Sequence, residues 1–263
     1  MKKQELKMFV PDKDECHKTA KHQTAMRLDE KSFHNYIGAI EDFDVNDPTQ
    51  FINAHYQPKN YYQGCFQAAF AESQILMLQT NWSPIILFPR THEVWFDGDD
   101  LELRELAERP LNHKTLKTEM AVVPEDLSTM NIAGTLDKIQ NMDAFLWKLA
   151  CWASKGRYPE SIEYNLPVYL KSWPNFTRLL ITPHALRIAA LLIQRPRSMG
   201  NLAQALDIKP QYVFVFISAA HAIGLVDQAR RTADNLVQPP DMPPSKDQKL
   251  LGQLIGKLRG NEA

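Results

Sequence analysis

The sequence predicts a helix-rich α+β protein, and three observations carry that prediction. Between residues 84 and 96, two short apolar runs are bounded by Pro, Asp and Gly, the pattern of strands closed by turns. Downstream, residues 136–154 and 185–223 carry apolar side chains at helical spacing. Pro, Gly, Asn and Asp gather between these stretches and divide the chain into a small mixed α/β unit followed by a helical domain.

Residues 1–62 are expected to be a flexible or irregular N-terminal arm. The first 31 residues hold eight Lys or Arg and six Asp or Glu without apolar periodicity. Asp47-Pro48 and Gln57-Pro58 then break residues 33–62 into turns.

The α/β unit is expected over residues 63–123. Phe66, Ala69, Phe70, Ser73, Leu76 and Met77 fall on one face of a helix ending before Asn81. Residues 84–88 and 93–96 read as strands, the second stopped by Asp97-Gly98. Asp99 is placed to cap a helix over residues 100–108, whose inward side chains are Leu101, Leu103 or the stem of Arg104, Leu106 and Ala107. Residues 115–123 alternate as a further strand, and a linker is expected near residues 124–135.

The helical domain is expected over residues 136–237. Its first helix, 136–154, carries Phe145, Leu146, Leu149, Ala150 and Trp152 and ends at Lys155-Gly156, a basic last turn followed by a glycine cap. The connector 157–182 is rich in aromatic side chains, among them Tyr158, Tyr164, Tyr169, Trp173 and Phe176. Such a segment is costly to leave in water, so it is expected to cover the domain, the alternative being a pocket around Arg157, Trp173, Asn175 and Arg178. Arg157 and Arg178 read as structural partners of Glu160 or Glu163.

Within residues 184–227 the punctuation is denser. Ala185, Leu186, Ile188, Ala189, Leu191 and Leu192 repeat at helical spacing until Arg195-Pro196, where proline removes an amide hydrogen. Ser198 can cap a short helix that turns Leu202, Ala203 and Leu206 inward. Asp207-Ile208-Lys209 leads to Pro210 at the start of a third helix, which Gly224 closes before Leu225-Val226 begins a strand. This order resembles the winged helix-turn-helix domain of bacterial regulators over about fifty residues. The fold implied is a helical domain with a winged-helix-like core.

That resemblance implies a DNA-reading third helix, yet the side chains there argue otherwise. With Val213, Phe216 or Ile217, and Ala220 facing the core, the remaining surface holds Tyr212, Phe214, Val215, Ser218, Ala219, Ala222 and Ile223. Base readout needs hydrogen-bonding side chains, and only Lys209 and Gln211 supply them. Over residues 184–236 six basic side chains stand against three acidic ones, a surplus of three, small for a DNA-binding domain. Three readings follow. The third helix is buried by a flanking segment, with the connector as its cover. Alternatively, Tyr212, Phe214 and Val215 form an interface with another protein. The last is DNA binding, with Lys209 and Gln211 at the groove and Arg230 and Arg231 on the wing.

The C-terminal end adds a second candidate. Residues 238–245 form a proline-rich linker, and residues 246–259 an amphipathic helix with Leu250, Leu251, Leu254, Ile255 and Leu258 on one face. A lone helix of this length is marginal, so its stripe needs a surface: its own domain, a partner's groove, or least favourably a membrane.

Composition bounds the function. A net charge of −1 with 44% hydrophobic and 23% charged residues gives no bias toward nucleic acid or membrane. No apolar run approaches the ~20 residues of a membrane span. Cys16, Cys65 and Cys151 are odd in number and widely spaced, which argues against a disulfide framework and, without a secretory signal, for the cytoplasm. P-loop, dinucleotide-binding, Cys-x-x-Cys, His-Glu-x-x-His and Gly-x-Ser-x-Gly motifs are all missing. Cys16, His17 and His22 lack a fourth ligand, so no metal and no cofactor is expected. The function expected is that of a non-enzymatic cytoplasmic adaptor or regulatory protein in signal transduction, working through the degenerate winged-helix module and the tail. The alternative is a winged-helix transcriptional regulator that binds DNA.

Overall fold

Ile85–Phe88 and Glu93–Phe96 form the two expected strands, and the rest of the sheet assembles around them. The computed structural model describes residues 26–37, 48–70, 75–78, 83–111, 120–122 and 138–229. Its helices are α1 (Glu30–Ile37), α2 (Pro48–Asn53), α3 (Tyr62–Ala69), α4 (Asp100–Glu108), α5 (Met142–Ser154), α6 (Ala185–Gln194), α7 (Met199–Leu206) and α8 (Pro210–Ala222). Its strands are β1 (His55–Tyr56), β2 (Leu76–Leu78), β3 (Ile85–Phe88), β4 (Glu93–Phe96), β5 (Met120–Val122), β6 (Ile139–Asn141), β7 (Tyr158–Pro159), β8 (Val168–Leu170) and β9 (Val226–Gln228). The protein is thus a helix-rich α+β fold. Among the described residues no helix is long and apolar enough to cross a membrane.

Five strands make one antiparallel sheet in the order β5-β2-β3-β4-β6. Alternation along the strands sends Leu76, Leu78, Ile85, Leu87, Val94 and Phe96 into the main core, and Met77, Ile86 and Trp95 onto the opposite face as a separate apolar cluster. Register sets that second cluster in a row, because Met77 pairs with Ile86 and Ile86 with Trp95.

Several local signals act as the sequence predicts. The Asp99 carboxylate accepts from the Leu101 and Glu102 amides and starts α4. Ser198 accepts from the Asn201 amide and starts α7, Pro210 opens α8, and Gly224 adopts a left-handed φ of 72°. Lys155 and Gly156 both take positive φ after α5.

The expected helix through Met77 is a correction. It ends at Ala69, and Leu76–Leu78 is instead the strand between β3 and β5. Three consecutive apolar residues suit either periodicity, and hydrogen-bonding neighbours on both sides decide for the strand. The helix expected from residue 136 likewise begins at Met142, because Ile139–Asn141 pairs with β4 and Asn141 then caps α5 through the Asp143 and Ala144 amides. For the same packing reason residues 26–37 and 48–62 of the expected arm are not wholly irregular: α1 and α2 bury Phe33, Ile37 and Phe51 in the main core. Each such side chain contributes roughly 1.5–3 kcal/mol.

The sequence also suggested separate α/β and helical domains. Instead one apolar core runs from Leu76, Val94 and Leu103 through Phe145 and Trp147 to Leu202 and Phe216. The chain divides elsewhere, into a unit of residues 1–230 and a second of residues 231–263. The linkers and tail expected at 124–135, 238–245 and 246–259 lie outside the described residues.

Candidate functional site

Helix α8 is the centre of the body, not a surface. All its side chains from Pro210 to Ala220 are buried. Tyr212 is 5% exposed and Phe214 and Val215 are fully covered, which removes them as a partner-binding face. The cause is packing from several directions. Helix α5 lies along α8, with Trp147 edge-on to Phe216, while Phe51, Tyr158 and Tyr164 surround Phe214 with ring centroids 5.1–6.4 Å away. The connector therefore does cover the third helix, but α5 and residues from α2 share the work. Of the DNA-reading pair, Lys209 is exposed while Gln211 is only 4% exposed and turned into the protein. Arg230, Arg231, Leu250, Leu251, Leu254, Ile255 and Leu258 lie outside the described residues, as do Cys16, His17 and His22.

The expected wing also differs. Strand β9 pairs antiparallel with β8, and Val168 bridges in addition to Arg197, between α6 and α7. An upstream segment thus supplies the partner that a wing hairpin would take from downstream.

Arg157 has a structural role, though not through Glu160 or Glu163. Its guanidinium donates to the Ser154 and Ala153 carbonyls and to Tyr61 Oη, and stacks over the Tyr56 ring at 5.5 Å. Asn175 is engaged separately, accepting from the Thr177 amide and hydroxyl. The two belong to different networks.

Two clefts open at opposite ends of α8. Beyond its C-terminal end lies one of about 390 Å³ lined by Ser161, Lys171, His221, Asp227 and Gln228, among others. Ser161 Oγ lies 3.1 Å from His221 Nε2, the spacing of a nucleophile and its base. A working base also needs an orienting acceptor at its other ring nitrogen, and His221 Nδ1 is buried without a partner. Asp227 is drawn elsewhere: its carboxylate accepts from the Gln228 amide at 2.8 Å and meets Lys171 Nζ at 3.5 Å. Gln228 in turn clamps Glu163 through its amide and carbonyl. Burial, with a smaller push from Lys171, lowers the His221 pKa against the pull of Asp227. These contacts fasten the strand after α8 to the connector, and the serine–histidine pair lacks the third group that would orient it.

The second cleft, of about 540 Å³, lies between residues 27–32 and 181–187. Here Arg27 and Ile181 form a parallel bridge, Leu28 N donates to Ile181 O at 2.9 Å, and Ile181 N donates to Met26 O at 2.8 Å. Both segments then run into helices, α1 from Glu30 and α6 from Ala185. His184 Nε2 meets Glu30 Oε1 at 3.0 Å, and its ring packs edge-on against Tyr212 at 5.1 Å, so the first turn of α8 underlies this cleft. Tyr212 Oη also lies 3.4 Å from His34 Nε2 on α1. Burial first, then the Glu30 charge, raises the Tyr212 pKa and keeps its hydroxyl protonated.

None of these cleft residues stands out in the sequence. Arg27 and Ile181 are brought together across more than one hundred and fifty positions, and Ser161 and His221 across sixty, with no motif spacing to mark either pair. Among the described residues no cluster of three His, Cys, Asp or Glu side chains could hold a metal ion. The chain matches no protein-family model, no curated protein and no solved structure.

Proposed function

We propose that the protein is a non-enzymatic adaptor or regulatory protein that contacts another protein through its C-terminal amphipathic stripe, Leu250, Leu251, Leu254, Ile255 and Leu258, with residues 1–230 as the supporting body. The observation that carries this reading is the division of the chain at Arg230, which sets residues 231–263 apart as a unit. A stripe read from sequence at residues 246–259 then belongs to a segment whose apolar side needs its own surface. With α8 buried, we assign the partner contact to this stripe rather than to the helix-turn-helix module; Gln211 is turned into the protein, while Lys209 stays exposed.

Two measurements test the reading. Leu254→Asp with Ile255→Asp is expected to abolish at least one partner, identified by cross-linking and mass spectrometry, while leaving the thermal midpoint of the body in place. A fall in that midpoint with an unchanged partner set would show the stripe to be an internal brace. In the second, anisotropy with duplex DNA at low salt is expected to show only weak association. Submicromolar binding with a steep salt slope, lost on Arg230→Ala with Arg231→Ala, would overturn the adaptor reading in favour of the regulator.

A further inference from the structure

The last turn of α8 holds a histidine in surroundings that suit only its uncharged form. His221 Nε2 lies 3.1 Å from Ser161 Oγ, and Nδ1 is buried without a partner. The tautomer that leaves least unmet carries its proton on Nε2, donates to Ser161 Oγ and keeps a bare Nδ1. An imidazolium has an N–H at both nitrogens. Its second N–H would be sealed in the protein with no acceptor, a costly state for a charged group.

The charges around the ring come from separate segments. Lys171, just past β8, opposes a second cation, Asp227 on β9 favours one, and Glu163 of the connector lines the same cleft. From α3, Gln67 donates to the Ala222 carbonyl and adds no charge. The Asp227 carboxylate is half-exposed and already engaged by the Gln228 amide and Lys171, which blunts its pull on the ring. What the ring holds is the turn after β7. Two residues beyond Ser161, the Glu163 amide donates to Gln228 Oε1 and Gln228 Nε2 donates back to the Glu163 carbonyl. Further along, the Ala229 amide donates to the Pro167 carbonyl. Beside these contacts lies the cleft of about 390 Å³, space into which a charged ring can turn.

We propose that His221 is an acid-sensitive latch: on protonation its ring leaves Ser161 for the open cleft, and the Glu163–Gln228 clamp between the connector and β9 loosens. The step takes one proton from solvent onto Nδ1 and breaks no covalent bond. In the cleft the imidazolium meets water and the Asp227 side of the wall, so both N–H groups find acceptors. The depressed pKa of the closed ring gives the sign, since the open form binds the proton more tightly and acid therefore favours opening. The latch lies within residues 1–230 and does not depend on the C-terminal stripe.

Amide exchange of the full chain, followed residue by residue and corrected for the intrinsic rate, tests the latch between about pH 7.5 and 5.5, a window in which ordinary carboxylates stay ionised. The Glu163 and Ala229 amides are expected to open roughly three- to tenfold more often at the lower pH, the ceiling being set by a histidine pKa near 6.5 in the open form. Amides in the middle of α5 are expected to keep their protection. In His221→Gln the step at Glu163 and Ala229 is expected to vanish. A step that survives this substitution overturns the latch and passes the role to His55, which meets Glu160 at 4.0 Å beside the same turn. No step in the parent overturns it as well, and so does an equal step in α5, the mark of global acid unfolding. Should His221→Gln fail to fold, the ring resonances of the parent decide. A titration midpoint below about 6.5 accompanied by the Glu163 step upholds the latch, and a midpoint at or above that value overturns it.

Discussion

The indole of Trp147 and the ring of Phe216 meet edge to face, centroids 5.8 Å apart at 83°, at the crossing of the two central helices. Trp147 Nε1 is satisfied in the same place, donating to the Leu180 carbonyl at 3.0 Å. Both side chains are fully buried, so the pair joins α5 to α8 with no water between them. Phe216→Ala is expected to cost about 3–5 kcal/mol, read as a lower urea midpoint, because it leaves a cavity that surrounding helices cannot close.

Gly64 gives a prediction opposite in sign to helix propensity. In an open helix Gly→Ala gains roughly 0.5–1 kcal/mol. On α3, however, a Cβ at Gly64 would stand 2.5 Å from the Pro58 carbonyl oxygen and 2.8 Å from Lys59 Cα, both backbone atoms. Gly64→Ala is therefore expected to destabilise by about 1–3 kcal/mol in a thermal melt, and a higher midpoint would contradict this packing.

His221 supplies a pH dependence. Burial depresses its pKa in the folded state below the ordinary value near 6.5, so the unfolded chain takes up this proton first. Its contribution to stability is present above that ordinary value and is lost as pH falls through the lower folded value. Denaturant midpoints measured from pH 8 downward should fall less steeply below about 6.5 in His221→Gln than in the parent. Parallel curves would show that the ring titrates normally.

Cys151 tests the integrity of the core. It is fully buried in α5, and burial raises its thiol pKa far above the usual range, while Cys65 is pushed up to about 11. Labelling with a thiol reagent followed by peptide mass spectrometry should modify Cys151 only at the rate of global unfolding. Rapid labelling under native conditions would mean that α5 opens locally.

Legibility in the sequence followed the range of the interactions. Asp99, Ser198, Pro210 and Gly224 act on backbone groups within a few residues, and each marks the boundary it predicts. Leu76–Leu78 was not legible because its conformation depends on β3 and β5, which the local pattern does not contain. For the apolar third helix, burial under the connector was one of three readings, and Tyr158 and Tyr164 supply that cover; Phe51 and Trp147 were not legible because they arrive from far outside the local pattern. Both clefts escaped notice for the same reason. Their polar groups carry no periodicity, and only the folded chain brings Ser161 to His221 or Glu30 to His184.

The same long reach sets the order in which the chain is able to fold. Leu28 hangs on the Ile181 carbonyl, the Tyr36 carbonyl accepts from the Trp152 indole, and Gln67 donates to the Ala222 carbonyl, 155 positions later. During vectorial synthesis Phe33, Phe51 and Gln67 have no completed seat until α8 leaves the ribosome. Phe33, Ile37, Phe51 and Phe66 spend that interval without their final neighbours, a slow and aggregation-exposed stage of the kind that high contact order imposes and chaperones attend.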